Sequence, residues 1–460
     1  MNQNNISAAE LFLRVRELLI LPELEPKTRN KMMHDTLILC CHEGVKETKQ
    51  AFGNLFSQVD YLCKAHGIKV ADKIAIQTMR RHSNSQEPLS SEDLKYDARA
   101  LAIFISAVFG VDVPHELNVL IPHTNRPYQK GLEINNRRIR CIVKNWDSDF
   151  IRVDIDQDAD EEEYLVQLKD EENHIDHTYL WDILKEGMQI NLLDCQVKQP
   201  VITPRLIVVE PDYLVDISSI ATCFTAFGHH PLLYLLNQMK PRANTQATLL
   251  GNFAGAALDD IINTNGKYQM NETIKTNFRE KALEFCTCPW FDAKKFYTDA
   301  NLQAFNLQQV VDILFPRTAS QAQMSAFRGE SLYDRKKAIL EPSFVCEALG
   351  IQGRVDLMTT DCKLLVEQKS GRNMNIETHQ VDPGYHSYQL EPHYVQLLLY
   401  YGVLQHNFKL SNDRVNIRLL YSKYQPQDGL MVVAYYQKLF KEAIEYRNQL
   451  VAASFEIAKE

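Results

Sequence analysis

The sequence predicts an α+β protein with a helical N-terminal region, a small β-barrel and a C-terminal domain in which helices and strands mix. Apolar residues recur at three- and four-residue spacing through the first 130 residues, which indicates helices. Short β-rich runs separated by polar turns fill residues 134–216, and both patterns alternate from about residue 217. We therefore assign residues 1–130 to a helical accessory region, 131–210 to the barrel and 211–460 to the C-terminal domain.

The composition is that of an ordinary globular protein, with 45% apolar and 24% charged residues in a chain of 460. The chain has no run of eighteen apolar residues and no basic segment followed by an apolar one at its start, so we expect neither a signal peptide nor a membrane span. Ten scattered cysteines without paired CxxC motifs favour reduced thiols in a cytoplasmic protein. The net charge of −9 argues mildly against an extensive nucleic-acid-binding surface but permits a local basic groove.

Three helical stretches are predicted in the first region, at residues 9–19, 34–67 and 90–110. Ser90 and Ser91, followed by two acidic residues, are typical of a helix start. A polar loop from Arg80 to Ser91 separates the second stretch from the third. The region contains no motif with a chemical role, and we interpret it as a helical accessory module.

The second region predicts five short strands whose number and spacing are typical of an OB-like barrel. Such barrels often bind single-stranded nucleic acid, and a spacer without that function is an equally supported alternative. The side chains available for such binding are Arg137, Arg138, Arg140, Trp146 and Phe150. The acidic run at residues 154–163 lacks the glycine and the last acidic ligand of a calcium loop, which favours a solvated loop. His174 and His177 have no third ligand in view, and we interpret them as surface residues.

Two β-like runs in the C-terminal domain, residues 353–358 and 363–369, are joined by a short polar turn and predict a hairpin. Because alternate side chains of a strand share a face, Glu367 and Lys369 point the same way. Asp356 would lie across from them on the neighbouring strand. Burying two carboxylates and an ammonium is costly unless the charges pair or hold a metal.

Phosphodiester hydrolysis is a reaction that suits these side chains. It requires a hard cation that polarises the phosphate and lowers the pKa of the attacking water. Mg²⁺ prefers oxygen ligands and is typically held by one or two carboxylates together with waters and substrate phosphate. Asp356 and Glu367 would supply the carboxylates, with the main-chain carbonyl of Gln368 as a third ligand. Lys369 would orient the attacking water and stabilise the developing negative charge.

A family resemblance becomes specific when these residues are taken with the helix that follows them. Asp356 and the Glu367-x-Lys369 motif eleven residues later resemble the core of the PD-(D/E)XK nucleases. Gln396 and Tyr400, one helical turn apart and therefore on one face, resemble the additional motif of the RecB-like branch. That branch includes nuclease modules of recombination complexes and of a replication helicase–nuclease.

The resemblance covers roughly residues 208–425 and implies a mixed sheet flanked by helices. It implies Mg²⁺- or Mn²⁺-dependent cleavage of DNA, often single-stranded or flap DNA, in repair, recombination or replication. It also implies that Gln396 and Tyr400 position the lysine or the DNA backbone and that Glu347 is a further metal ligand. The side chains expected to contact DNA are Arg354, Arg372 and His393, and for His393 a position on the helix surface is the alternative.

The chain departs from the family pattern in two places. RecB-like enzymes usually carry a metal-binding histidine four residues after a glycine, whereas here Gly251 is followed at that spacing by Gly255. Asp259 or Asp260, one turn further on, could replace the histidine or serve as a capping or surface residue. Many relatives hold an iron–sulfur cluster through three cysteines after the core, but no cysteine follows Cys362, so we expect no cluster.

Two further hypotheses remain open at this stage. The first is a catalytically degenerate nuclease fold that binds DNA ends without cutting, favoured by the missing histidine and opposed by the intact charged residues. The second is a module that docks onto a helicase, which is compatible with nuclease activity. The chain has no Walker A motif and therefore no P-loop motor of its own. The final helix has no obvious stop signal, so we expect the chain to be part of a larger helicase–nuclease or to dock onto one.

Overall fold

The computed structural model describes residues 6–21, 23–85, 87–126, 136–156, 163–225, 228–241, 244–264, 267–373, 391–410 and 415–457. Helices and strands both contribute, which confirms the predicted α+β class. The chain divides into two compact units, one of Met1–Tyr213 with Val451–Glu460 and one of Leu214–Leu450. In the residues listed above, no helix combines the length and the apolar character needed to cross a membrane.

The first unit begins with helices, as the apolar spacing predicted. They are α1 (Ala8–Ile20), α2 (Pro26–Gly44), α3 (Leu55–Ala65), α4 (Val70–Asn84), α5 (Ser91–Phe109) and α6 (His115–Asn118). A capping box of Ser90 and Asp93 begins α5, and Gly110 ends it in the left-handed conformation. The helices share one apolar core, in which Leu11, Met33 and Phe104 are fully buried.

Two local boundaries differ from the prediction. The predicted stretch 34–67 is two helices, because α2 ends at Gly44 and the side chain of Asn54 accepts a hydrogen bond from the Ser57 N–H at the start of α3. The predicted loop from Arg80 begins later, because α4 continues to Asn84. The apolar spacing continues through the segment between α2 and α3, so periodicity alone did not predict that the helix ends there.

The strands of the first unit form one large sheet and one small ribbon. They are β1 (Arg138–Trp146), β2 (Phe150–Ile155), β3 (Tyr164–Gln167), β4 (Lys169–Asp170), β5 (Ile175–Asp176), β6 (Gln189–Leu193), β7 (Gln196–Lys198), β8 (Val201–Thr203) and β9 (Leu206–Val209). The large sheet has seven strands in the order β7-β8-β3-β2-β1-β6-β9, while β4 and β5 pair with each other. All neighbours in the large sheet are antiparallel except β3 and β8, which are parallel.

The predicted small OB-like β-barrel is wrong. In the part of the chain that the structure describes, β7 and β9 are the two edges of an open sheet and do not pair with each other. The second face of the sheet is also covered, because Gln189 and Asn191 on β6 are fully buried. Gln189 Nε2 donates to Asp212 Oδ2 at 3.0 Å, and Arg140 donates to both Asp212 and Asn191. Arg140 is therefore engaged inside the unit and is not the exposed phosphate ligand that a barrel surface would require.

The histidine pair of this unit also differs from its prediction. His177 is buried, and its Nε2 lies 3.1 Å from the Pro204 carbonyl oxygen, so it is a core residue and not a surface one. His174 is exposed, with a positive φ of 54°. Most of the acidic run predicted as a solvated loop, residues 157–162, lies outside the described residues.

The second unit alternates helices and short strands. Its helices are α7 (Ile217–Ala221), α8 (Leu232–Met239), α9 (Gln246–Asn263), α10 (Met270–Glu280), α11 (Ala282–Cys286), α12 (Ala293–Leu314), α13 (Ala319–Phe327), α14 (Glu391–Phe408), α15 (Pro426–Gly429) and α16 (Gln437–Ile457), which begins in this unit. Its strands are β10 (Val215–Asp216), β11 (Phe224–Thr225), β12 (Gly228–His229), β13 (Ala338–Leu340), β14 (Ser343–Cys346), β15 (Ile351–Arg354), β16 (Leu357–Thr359), β17 (Leu364–Lys369), β18 (Asn416–Tyr421) and β19 (Leu430–Val432).

A mixed five-stranded sheet organises this unit, in the order β13-β16-β17-β18-β19. The central pair β17 and β18 is parallel, and the other neighbours are antiparallel. Leu364 and Val366 of β17 join an apolar core with α9 and α12. The alternate residues of β17 therefore face the opposite side, where α14 contacts the sheet. Arg335 Nε donates to the Ile262 carbonyl at 2.7 Å and so caps the C-terminal end of α9.

Candidate active site

The register of two strands brings the predicted carboxylates together. Leu357 pairs with Val366 across the antiparallel strands β16 and β17, and one step further along that register Asp356 lies opposite Glu367. The main-chain N–H of Gln368 donates to Asp356 Oδ2 at 2.6 Å. This is the arrangement that the hairpin pattern predicted, and the hydrogen bond fixes the carboxylate against the strand.

Lys369 lies on the same face of β17 as Glu367. Its Nζ donates to Glu367 Oε1 at 2.8 Å and to the side-chain oxygen of Gln396 at 3.0 Å. An ammonium has three N–H donors, and the described residues accept from two of them, which leaves one for a phosphate oxygen or a water. The Lys369 side chain is 22% exposed, whereas that of Glu367 is only 3% exposed, so the ammonium lies at the rim of the site.

Tyr400 connects this lysine to the end of β15, two residues before Asp356. Its hydroxyl makes a side-chain hydrogen bond with Gln396 and donates to the Arg354 carbonyl at 2.6 Å. A Cβ added at Gly353 would lie 2.9 Å from the Tyr400 ring, so only glycine leaves room for the ring here. Gln396 and Tyr400 therefore position Lys369 and the end of β15, with Tyr400 buried and Gln396 partly buried.

The electrostatics of the two carboxylates are unusual. Burial, reinforced by the nearby Asp356, raises the pKa of Glu367 to about 8 although Lys369 opposes the shift. Burial likewise raises the pKa of Asp356, opposed by the Gln368 N–H and by Lys369. Glu367 Oε2 is buried and has no hydrogen-bond partner among the residues that the structure describes. A buried carboxylate oxygen without a partner is costly, so a ligand for that oxygen would stabilise the folded chain.

Asp259 on α9 belongs to the same electrostatic cluster. Burial raises its pKa to about 7, and the negative charges of Glu341 and Asp356 add to the shift. The neighbouring Asp260 has a different role, because its Oδ2 accepts a hydrogen bond from Thr273 at 2.5 Å. Of the two aspartates considered as replacements for the missing histidine, Asp259 is thus the one near the site. Gly255 lies one turn before it, and a Cβ there would meet no atom within 4 Å.

Glu341 was missed by the sequence interpretation, and it lies where Glu347 was expected. Its main-chain N–H donates to the Asp356 carbonyl at 2.9 Å, and its carboxylate lies 3.1 Å from the guanidinium of Arg354. Ser343 pairs with Arg354 and Cys346 pairs with Ile351, so the hairpin of β14 and β15 turns just beyond Cys346. Glu347 is therefore at the opposite end of that hairpin from Asp356 and does not reach the predicted site.

The residues predicted to contact DNA have different surroundings. Arg354 is 61% exposed and pairs with Glu341, and Arg372 is exposed. His393 is partly buried, and its Nδ1 lies 3.1 Å from the Tyr421 hydroxyl. Burial, together with the positive charge of Lys369, lowers the pKa of His393 to about 4. Its imidazole is therefore neutral near pH 7 and cannot pair with phosphate as a cation.

A buried polar network supports the other face of β17. Gln368 Nε2 donates to the Ser422 hydroxyl at 2.8 Å, and that hydroxyl donates to Gln303 Oε1 at 2.6 Å. Gln303 Nε2 in turn donates to the Ser370 carbonyl at 3.0 Å, and Asn306 donates to the Ser422 carbonyl. These bonds fix the end of β17, and with it Glu367 and Lys369, to α12 and β18.

Comparisons with known proteins give no family: no protein-family model matches the chain, and no curated protein matches it. The function is therefore inferred from the site itself.

In the described residues, no group of three or more His, Cys, Asp or Glu side chains is close enough to hold an ion unaided. Mg²⁺ commonly keeps several waters and takes only one or two carboxylates, which is the number that Asp356 and Glu367 offer.

Proposed function

We propose that this chain is a Mg²⁺- or Mn²⁺-dependent DNA nuclease of the RecB-like PD-(D/E)XK type. The observation that carries the proposal is the buried Oε2 of Glu367, beside Asp356 and Lys369, to which no described residue donates a hydrogen bond. A carboxylate retained in such a place is costly to fold, and a bound cation would offset that cost. The sequence order of Asp356, Glu367, Lys369, Gln396 and Tyr400, as in the resembling family, adds support.

The donor set fits a hard divalent cation. Asp356 and Glu367 offer oxygen ligands, with the Gln368 carbonyl as a further candidate, and no described thiol or imidazole belongs to the set. A cation bound there would polarise the scissile phosphate and lower the pKa of the attacking water. The carboxyl group of Asp259 is near enough to interact electrostatically with Asp356.

Lys369 is the residue that acts on the reacting atoms. Its ammonium is oriented by Glu367 and Gln396, so its remaining N–H donor has a fixed direction. Such a preorganised charge can orient water and stabilise the negative charge that develops on phosphate. Tyr400 acts through Gln396 and the Arg354 carbonyl and is a positioning residue.

DNA, single-stranded or flap, is the substrate class that the family resemblance implies. Arg354 and Arg372 are exposed and can contact the phosphate backbone, whereas His393 can contribute only a neutral contact. A role in DNA repair, recombination or replication follows from the same resemblance and is part of the proposal. A helicase partner stays a prediction from the sequence.

The experiment that tests this function is cleavage of labelled single-stranded, flap and duplex DNA with Mg²⁺ or Mn²⁺ and with a chelator. We expect cutting only with the metal, and Asp356→Asn should abolish it. Asp361→Asn is the matched control, because Asp361 lies in the turn of the same hairpin and pairs with Lys337, away from the site. DNA binding without cutting under either metal, by a folded chain, would replace this proposal with the degenerate, DNA-end-binding scaffold.

A second expectation concerns the residue that stands in for the family's histidine. Asp259→Asn should raise the Mn²⁺ concentration required for half-maximal cleavage by about 10-fold, because outer partners of a metal site commonly contribute 10–100-fold. The adjacent Asp260→Asn is the control, since Asp260 bonds to Thr273. Metal titrations of both variants at fixed DNA concentration measure the difference. Equal metal requirements in the two variants would remove Asp259 from the site.

A further inference from the structure

Trp290 is the most exposed large apolar side chain that the structure describes. It is 98% exposed, and its φ of +57° is in the left-handed region that bulky residues rarely adopt. Both features carry a free-energy cost: an exposed indole leaves apolar surface in water, and a positive φ adds backbone strain. Such combinations cluster where a side chain is held out for a ligand.

The backbone on both sides of Trp290 is anchored. Phe291 packs against the rings of Phe278, Phe285 and Phe296, and Cys288 is buried in the same core. Asp292 is the N-cap of α12, and its main-chain N–H donates to the side chain of Gln246 at 2.8 Å. The indole therefore projects from a rigid support and not from a loose loop.

Positive charge lies directly beside the indole in sequence. Lys294 and Lys295 occupy the first turn of α12 and are exposed, and neither has an ion pair within the described part of the chain. Two acidic residues lie near that turn along the chain: Asp292 caps the Lys295 N–H, and Asp299, one helical turn after Lys295, forms no ion pair with it in the described part of the chain. An exposed aromatic ring next to unpaired lysines matches single-stranded nucleic acid, which offers stacking bases and phosphates together.

We propose that Trp290, with Lys294 and Lys295, is a binding platform for single-stranded DNA: the indole stacks on a base and the two lysines contact flanking phosphates. The inference rests on the proposed nuclease function and specifies where the substrate strand runs. Gln246, which accepts a hydrogen bond from the Asp292 N–H between Trp290 and Lys294, is thirteen residues before Asp259 on α9, so the platform lies about 20 Å along the helix from the site. The bound strand would thus extend several nucleotides beyond the cleavage point.

The test is binding of a fluorescently labelled oligo(dT) 20-mer by anisotropy in the presence of EDTA, where no cleavage occurs. Trp290→Asn removes the ring while keeping a residue that tolerates positive φ, and we expect a loss of affinity of about 5- to 100-fold. Trp290→Tyr should restore much of the binding. Phe327→Ala, another highly exposed aromatic in the same unit, is the matched control and should bind like the native chain.

The lysines provide a second measurement. Lys294→Ala and Lys295→Ala should each reduce the slope of log affinity against log salt by about 0.7, the value for one phosphate contact on a single strand. Folded variants whose affinity for oligo(dT) and whose salt slope equal those of the native chain would overturn the platform. If the native chain never cuts DNA but Trp290→Asn still weakens binding, the nuclease proposal fails while the platform stands.

Discussion

Lys369→Met is expected to lower the rate of DNA cleavage by about 10²- to 10⁴-fold at saturating metal while the protein stays folded. Methionine keeps an unbranched side chain, one atom shorter than that of lysine, and removes the charge that Glu367 and Gln396 orient. Without the ammonium, the largest effect that lowers the pKa of Glu367 is lost and so is a positive charge beside the cation site, so the metal concentration required for occupancy is expected to change. For this reason the comparison has to be made at several Mn²⁺ concentrations, with single-turnover cleavage as the measurement.

Lys363→Met is the control for this experiment. Lys363 immediately precedes β17 and is exposed, so its charge is lost without affecting the site. Near-native cleavage by Lys369→Met at saturating metal would show that the ammonium takes no part in the reaction. The lysine would then serve only to neutralise Glu367, and the assignment of a role on phosphate or water would be wrong.

Local sequence pattern predicted the centre of this site well. Asp356, Glu367 and Lys369 lie on two strands joined by a short turn, so their relative placement follows from register alone. Gln396 and Tyr400 are one helical turn apart, and that spacing put both on the face that meets Lys369.

Residues brought in from distant parts of the chain were not predictable in the same way. Glu341 reaches Asp356 through the pairing of β13 with β16, which no short-range pattern specifies. Glu347 was predicted as a metal ligand because it precedes the motif in sequence. The tight turn after Cys346 places it at the end of the β14–β15 hairpin that is far from Asp356. The network of Gln303 and Ser422 joins positions 119 residues apart, so polar residues inside apolar helices and strands were its only signal.

The barrel prediction failed for a related reason. The number of short strands indicates a sheet but does not say which strands become edges. The parallel pairing of β3 with β8 gives β8 a neighbour on each side and leaves β7 at the edge. Burial of Gln189 and Asn191 under Asp212 and Arg140 then depends on contacts that an alternating apolar pattern does not encode.

The last expected result is that Glu367→Gln abolishes cleavage and yet stabilises the metal-free protein at alkaline pH. The folded chain raises the pKa of Glu367 from 4.5 to about 8, so the folded state binds this proton more tightly than the unfolded state does. The stability that protonated Glu367 contributes to the folded state is fully present below about pH 4.5 and is lost as the pH rises through about 8. At pH 9 the native chain therefore carries a buried charge that glutamine does not have.

Thermal unfolding in EDTA between pH 5 and 9 measures this effect. Glu367→Gln should be more stable than the native chain by about 2 kcal/mol at pH 9, or about 4–8 °C in Tm, and the difference should shrink toward pH 5. Adding Mn²⁺ should raise the Tm of the native chain and leave that of the variant nearly unchanged.

Asp361→Asn is the control of opposite sign, because despite slight burial its bonds to Thr359 and Lys337 lower the pKa of Asp361. A native chain that is more stable than Glu367→Gln at pH 9 without metal would mean that Lys369 alone satisfies the buried carboxylate, and the main argument for a cation at this site would be lost.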